Sequence, residues 1–169
     1  MHKMVDDGLV LDEVTFTSLI DAHCKKGNIR EARELFTEMQ RRGLDPSCVT
    51  YNILIHGQGK EGRINTAFKL FNEMIEKGLQ PNVVYYNSLI HCLCNAGEIE
   101  WAYGLFNEMQ DKGMYPNKYT YPSLIGENHK IDNLQEALKL YNEMVDKGIL
   151  PDIYAHSALV KGICKDGKF

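Results

Sequence analysis

The chain repeats itself every 35 residues, and a fixed period of that length constrains the architecture before any single element is assigned. Pro46, Pro81, Pro116 and Pro151 lie 35 apart, as do Gly43, Gly78, Gly113 and Gly148. Met4, Met39, Met74, Met109 and Met144 make a third column, and Ala32, Ala67, Ala102 and Ala137 a fourth. Complete units run 13–47, 48–82, 83–117 and 118–152; residues 1–12 match the tail of an earlier unit and 153–169 the first half of a later one.

Within a unit the apolar spacing is helical. In 48–82, Tyr51, Leu54 and Ile55 mark a first helix running through Lys60, with Gly62 where a helix would stop. From about Asn65 to Lys77, the positions Ala67, Leu70, Phe71 and Met74 mark a second helix. Gly78 ends it, and Pro81 bars its continuation. A lone hairpin of this kind cannot bury both of its helices, so it must stack on its neighbours. The expected fold is all-α, a solenoid of four complete helix-turn-helix repeats with partial repeats at both ends. Small Ala67 and its equivalents let helices approach, while Phe36, Phe71, Phe106 and Tyr141, with Leu35, Leu70, Leu105 and Leu140, fill the space between. Because first helices line one surface, a polar residue recurring on them becomes a ladder.

Composition narrows what that ladder can do. A net charge of −4 argues against a protein that coats nucleic acid by bulk electrostatics, so any nucleic-acid site must arrange its basic groups locally. The apolar runs are interrupted every few residues, and no membrane span is expected. The start, Met1 to Asp7, has neither a secretory core nor transit-peptide character, so an organelle address is expected to have been removed or never to have existed. The five cysteines, Cys24, Cys48, Cys92, Cys94 and Cys164, contain no C-x-x-C pair and no histidine partner at zinc-finger spacing. They read as reduced thiols, with Cys24, Cys94 and Cys164, 70 apart in each step, at repeated helix positions, and neither metal nor cofactor is expected. No phosphate-cradling glycine loop, nucleophile triad or deaminase-like signature is present, so no enzymatic activity is expected.

The string Val49-Thr50-Tyr51-Asn52-Ile53-Leu54-Ile55, followed by Gly62, Ala67, Leu70-Phe71, Glu73-Met74, Gly78 and Pro81-Asn82, resembles the pentatricopeptide repeat in its plain 35-residue class. The Thr-Tyr-Asn-x-Leu-Ile and Glu-Met strings also resemble its fertility-restorer-like branch. The tetratricopeptide repeat has a 34-residue period and a Trp-Leu-Gly-Tyr pattern missing here. The resemblance covers essentially the whole chain. It implies a right-handed superhelix that binds single-stranded RNA in plant mitochondria or chloroplasts, one base per repeat, amino to carboxyl order matching 5′ to 3′.

By that resemblance, bases are read by the residue after the first-helix Tyr together with the residue after the proline. The pairs are Thr17 with Ser47, Asn52 with Asn82, Asn87 with Asn117, and Pro122 with Asp152; Asp12 and Ser157 are halves of interrupted pairs. A two-residue code has a physical basis, because an ionised Asp only accepts hydrogen bonds whereas Asn donates or accepts. A pyrimidine is therefore expected at 48–82 and 83–117, a weaker purine preference at 13–47, and a lean toward uracil at 118–152, where Pro122 offers no hydrogen-bonding group. The bland alternative for the asparagines is helix capping. Val14, Val49, Val84, Tyr119 and Tyr154 form a further column, for sandwiching bases or for packing between repeats. Lys25, Lys60, Lys130 and Lys165 recur at the end of the first helix, with Asn95 in the gap, and suit phosphate contacts or the helix dipole. His56 and His91 read as solvated face and not as catalytic bases.

A second class of function stays open, a scaffold that binds protein along the same surface, since four repeats are few for RNA. Such a groove should expose apolar residues on the first helices. Both ends divide a repeat, so self-association through uncapped ends is expected, and the dissimilarity of the repeats suggests a natural fragment or truncated relative.

Overall fold

The computed structural model describes residues 12–153, 155–157 and 159–160, and among them every regular element is an α-helix. Eight helices are complete there: α1 (Glu13–Lys25), α2 (Ile29–Arg41), α3 (Cys48–Lys60), α4 (Ile64–Glu76), α5 (Val83–Asn95), α6 (Ile99–Asp111), α7 (Thr120–Lys130) and α8 (Leu134–Asp146). Each unit holds one pair, odd-numbered first helix and even-numbered second. The second helix of 48–82 agrees with its sequence spacing to a residue. The first starts two residues before Thr50, because Ser47 takes the extended conformation that precedes a helix.

The fourth repeat departs from this pattern for an identifiable reason. A first helix begun at Lys118, in step with the others, would need Pro122 to donate an N–H to the Lys118 carbonyl. Proline has no such donor, and α7 starts at Thr120 and is 11 residues long where the other seven have 13. The tight turn after each first helix also changes there. Gly27, Gly62 and Gly97 take left-handed φ values of 76, 68 and 79°, whereas Asp132 fills the equivalent place with φ 58°.

The core runs along the stack. Ala32, Ala67, Ala102 and Ala137 are fully buried, as are Met39, Met74, Met109 and Met144. Phe36, Phe71 and Phe106 of the second helices meet Tyr51, Tyr86 and Tyr121 of the next repeat edge to face, with centroids 5.4, 6.1 and 5.8 Å apart. Such pairs contribute about 0.5–1.5 kcal/mol each beyond the area they bury. The same tyrosines close each hairpin from within: their hydroxyls donate to Glu73, Glu108 and Glu143 at 2.8, 2.8 and 2.9 Å. Lys112 and Lys147 complete two of these clips by donating to both the carboxylate and the phenol oxygen. The first repeat has Phe16 in that place, and Arg42 lies 5.6 Å over its ring instead.

Repeats join mainly through their first helices. Among the described residues α1 packs on α3, α3 on α5 and α5 on α7, and α2, α4 and α6 each touch the next first helix; the backbones of second helices stay apart, and Gln40 of α2 reaches Glu73 of α4 by a side-chain hydrogen bond of 2.8 Å. A stack held together on one side and splayed on the other curves, with the first helices on the inner face. Close approach there depends on missing side chains: a Cβ on Gly59 would stand 1.5 Å from the Cys92 sulfur, and one on Gly57 2.9 Å from that of Cys24. The result is an α-solenoid.

One buried column is chemically uneven. His23, Gln58, Leu93 and Asn128 occupy the same position in successive repeats, and all are buried. Asn128 donates to Tyr103 at 2.7 Å and to the Leu124 carbonyl at 2.9 Å. Gln58 has no partner for either side-chain polar atom among the described residues. Leu93 shows that the position accepts an aliphatic side chain. Replacing Gln58 by Leu is expected to raise stability by about 1–3 kcal/mol, by removing an unsatisfied buried amide. The urea midpoint measures it, and an unchanged or lower midpoint would show that Gln58 has a partner.

Candidate nucleic-acid interface

The inner face carries a groove of about 740 Å³ that runs across three repeat junctions. It brings together Asn52, Asn87, Asn117, Pro122 and Asp152 from the expected reading pairs, Val84 and Tyr119 from the apolar column, and Lys25, Lys60 and Lys130 from the basic one. Thr17, Ser47, Asn82, Asp12, Ser157, Val14 and Val49 lie outside this lining. Tyr154 and Lys165 fall outside the described residues. Four lysines, including Lys118, face two aspartates, Asp21 and Asp152, so the groove is locally positive on an acidic chain.

The reading positions are built by helix starts and by the neighbouring repeat. Asn82 and Asn117 precede α5 and α7, and their Oδ1 atoms accept the Val84 and Tyr119 N–H groups, each at 2.9 Å. Capping and display therefore coexist: the cap occupies Oδ1 and leaves the amide nitrogen outside the cap. Asp12 and Asp152 cap in the same way, through Thr15 and Ala155. The first-helix members are held by hydroxyls from the following repeat. Thr17 meets Thr50 at 2.8 Å, Ser88 donates to Asn52 Oδ1 at 3.0 Å, and Thr120 donates to Asn87 Oδ1 at 2.6 Å. Asn87 and Asn117 bond directly at 3.2 Å, and Ser47 and Thr50 at the same distance. Pro122 is buried, and of its expected pair only Asp152 carries a polar side chain.

Val14, Val49, Val84 and Tyr119 are 70, 60, 51 and 63% exposed, so none of them is packed away between repeats. Lys118 Nζ sits 5.2 Å over the Tyr119 ring. The lysine column is less uniform than its spacing suggests. Lys25 pairs with Asp21 at 2.6 Å and Lys130 with the buried Glu127 at 2.7 Å, while Lys60 carries no ion pair among the described residues.

His56 and His91 differ from the solvated face expected of them. Both are half-buried in the groove wall, with rings 6.1 Å apart and 18° from parallel. Burial, then Lys60 and His91, lowers the pKa of His56; burial, Lys60 and Lys130 lower that of His91. Burial likewise pushes the thiols of Cys24 and Cys94 up to about 11 and about 12, which keeps these groove cysteines protonated and unreactive at neutral pH. Sequence spacing missed Lys118, Ser88 and the buried Thr50 and Thr120. For Ser88, Thr50 and Thr120 the signal was a hydroxyl on the buried side of a first helix.

Curved two-helix repeats with a polar ladder along the inner face define a helical-repeat protein of the α-solenoid class. The family model of the PPR repeat family matches residues 11–59, 46–84, 81–130 and 124–165, and the chain belongs to that family. It is similar to the crystal structure of the pentatricopeptide repeat protein PPR10 from maize, at 28% identity over 99% of this chain and 24% of that one, with a TM-score of 0.81. The structure of PPR10 in complex with an 18-nt psaJ RNA element gives 29% identity over 99% of this chain and 25% of that one, TM-score 0.87. This chain thus spans about a quarter of that protein's length. The PPR domain of Arabidopsis thaliana protein-only RNase P 1, in complex with tRNA, matches at 21% identity over 92% of this chain and 82% of that one, TM-score 0.76, a likeness of fold. Among curated proteins no sequence matches significantly.

The paired imidazoles generate a pH dependence. Their folded-state pKa values lie below the ordinary 6.5, so the unfolded chain takes up protons first and stability falls as pH drops below that value. Glu38 and Glu108, also lowered, start from 4.5 and titrate further down. Urea unfolding at about pH 7.5 and about pH 5.5 should show a lower midpoint in acid, with a smaller drop in the His56→Asn, His91→Asn double variant. Equal drops in both proteins would remove the imidazoles from the explanation.

Proposed function

We propose that the chain binds single-stranded RNA along this groove, one base per repeat, with its amino-terminal repeat toward the 5′ end, in organellar RNA processing, stability or translation in mitochondria or chloroplasts. The observation that carries this reading is the convergence of reading amides, exposed Val84 and Tyr119, and lysines on one positive groove of an acidic chain. Each class of group has a counterpart in a polynucleotide: Watson–Crick edge, base face and phosphate. The RNA held by PPR10, a relative of the same fold over 99% of this chain, supports it. Asn52 with Asn82 and Asn87 with Asn117 read pyrimidines, Thr17 with Ser47 leans to a purine, and Asp152 leans to uracil. Lys60, free of an internal ion pair among the described residues, is the prime phosphate contact.

Magnitudes set the expected strength. Four bases at ~1–3 kcal/mol each stand against an association cost of about 4–15 kcal/mol, so binding by this chain alone is weak and strongly salt-dependent. Fluorescence anisotropy at low salt, with short pyrimidine-rich and purine-rich strands, tests the reading. Pyrimidine-rich strands should bind better, and Asn82→Asp should move the second repeat toward uracil, since a carboxylate accepts from the uracil imino N–H. Binding to no strand would favour a protein-binding scaffold, and an unchanged cytosine-to-uracil ratio in Asn82→Asp would refute the pairing of Asn52 with Asn82. Lys60→Ala should weaken binding to all strands alike and reduce the slope of log affinity against log salt by ~0.7. An unaltered slope would take Lys60 off the phosphate path.

A further inference from the structure

The two Asn–Asn repeats share the same pair of letters, yet what each amide can offer a base depends on a residue outside the pair. In 83–117 the hydrogen bonds form a directed relay. The Asn117 N–H donates to Thr120 Oγ1 at 2.9 Å, so that hydroxyl turns its proton toward Asn87 Oδ1, 2.6 Å away. Asn87 Nδ2 then donates to Asn117 Oδ1 at 3.2 Å, an oxygen that also accepts from the Tyr119 N–H at 2.9 Å. With both oxygens accepting and one N–H of Asn87 used, the uncommitted polar hydrogens are the second one on Asn87 Nδ2 and those on Asn117 Nδ2. In 48–82, Ser88 holds Asn52 Oδ1 at 3.0 Å and the Val84 N–H holds Asn82 Oδ1 at 2.9 Å, again leaving amide nitrogens. Thr120 is fully buried and Ser88 nearly so, so these hydroxyls act on the reading amides from behind.

Resting on the RNA reading above, we infer that Thr120 and Ser88, each from the repeat after the one that reads, are positioning residues that fix the neighbouring pair as hydrogen-bond donors and so favour cytosine over uracil. Cytosine presents an acceptor at N3 where uracil presents an N–H, and a pair whose amide nitrogens are turned toward the base distinguishes them. Without the hydroxyl only the 3.2 Å bond to Asn117 Oδ1 holds the Asn87 amide, which can then rotate by half a turn and offer its oxygen to a base. The two repeats reach this state from different helix positions. Tyr85 occupies the place equivalent to Thr120 and turns its own hydroxyl to the Cys48 carbonyl, so the neighbouring face of α5 supplies Ser88 instead. At the last junction both partners are missing, because Pro122 and Ala155 carry no hydroxyl or amide.

The test uses the whole chain and two short RNA strands differing only in C or U opposite repeat 83–117, with affinities from anisotropy at low salt. The unaltered protein should prefer the C strand. Thr120→Val keeps the shape and removes the donor, and should cut the C-to-U ratio by up to about tenfold, while Thr120→Ser, which keeps the hydroxyl, should retain it. Ser88→Ala, with strands varied opposite 48–82, repeats the test independently if Thr120→Val does not fold. Binding with an unchanged ratio in both hydroxyl-deleting variants overturns the inference alone. No binding of any strand by the unaltered chain overturns the RNA reading and this inference with it.

Discussion

Contact between successive first helices is the constraint from which the rest of the molecule follows. It needs backbones that come close, and the sequence provides this with Gly57 against Cys24 and Gly59 against Cys92. The backbones of second helices do not approach one another among the described residues, and α2 and α4 meet through the Gln40 and Glu73 side chains, so the stack bends toward the side where close contact is made. The bend turns a row of equivalent side chains into the wall of a groove. A chain with a net charge of −4 can in this way present a positive surface, since the lysines near the first helices share one face.

The groove and the core are built by the same helices, and this ties stability to recognition. Tyr51, Tyr86 and Tyr121 face second helices on both sides, stacking edge to face on the preceding phenylalanine and clipping a glutamate of their own repeat. The residue next to each of them along the chain, Asn52, Asn87 or Pro122, is the one that turns toward the groove. A one-residue rotation of a first helix would exchange the two roles. Fixing the tyrosine therefore fixes the residue that faces the groove.

The period of 35 made the fold legible, because equal spacing of glycine, proline, alanine and methionine leaves a stacked hairpin as the only consistent arrangement. Family resemblance pointed to the asparagine pairs, and the capping held as the bland alternative for them is present at Asn82 and Asn117. What could not be read was anything that depends on the distance between repeats. The hydroxyl partners of Asn52 and Asn87 come from two different columns, so no single periodic position announces them. The stacking of His56 on His91 likewise needs the rise between repeats, which the sequence does not state.

The central claim is that matching first-helix side chains from successive repeats form one continuous binding surface. The most direct measurement is a nuclear magnetic resonance titration that follows the side-chain amides of Asn52, Asn82, Asn87 and Asn117 as a pyrimidine-rich RNA is added. The account predicts that these four signals shift together, along a single binding curve, while the amides of Gln135 and Asn142 on the outer helix α8 stay in place. Shifts centred on the outer helices, or inner amides that respond independently of one another, would contradict it.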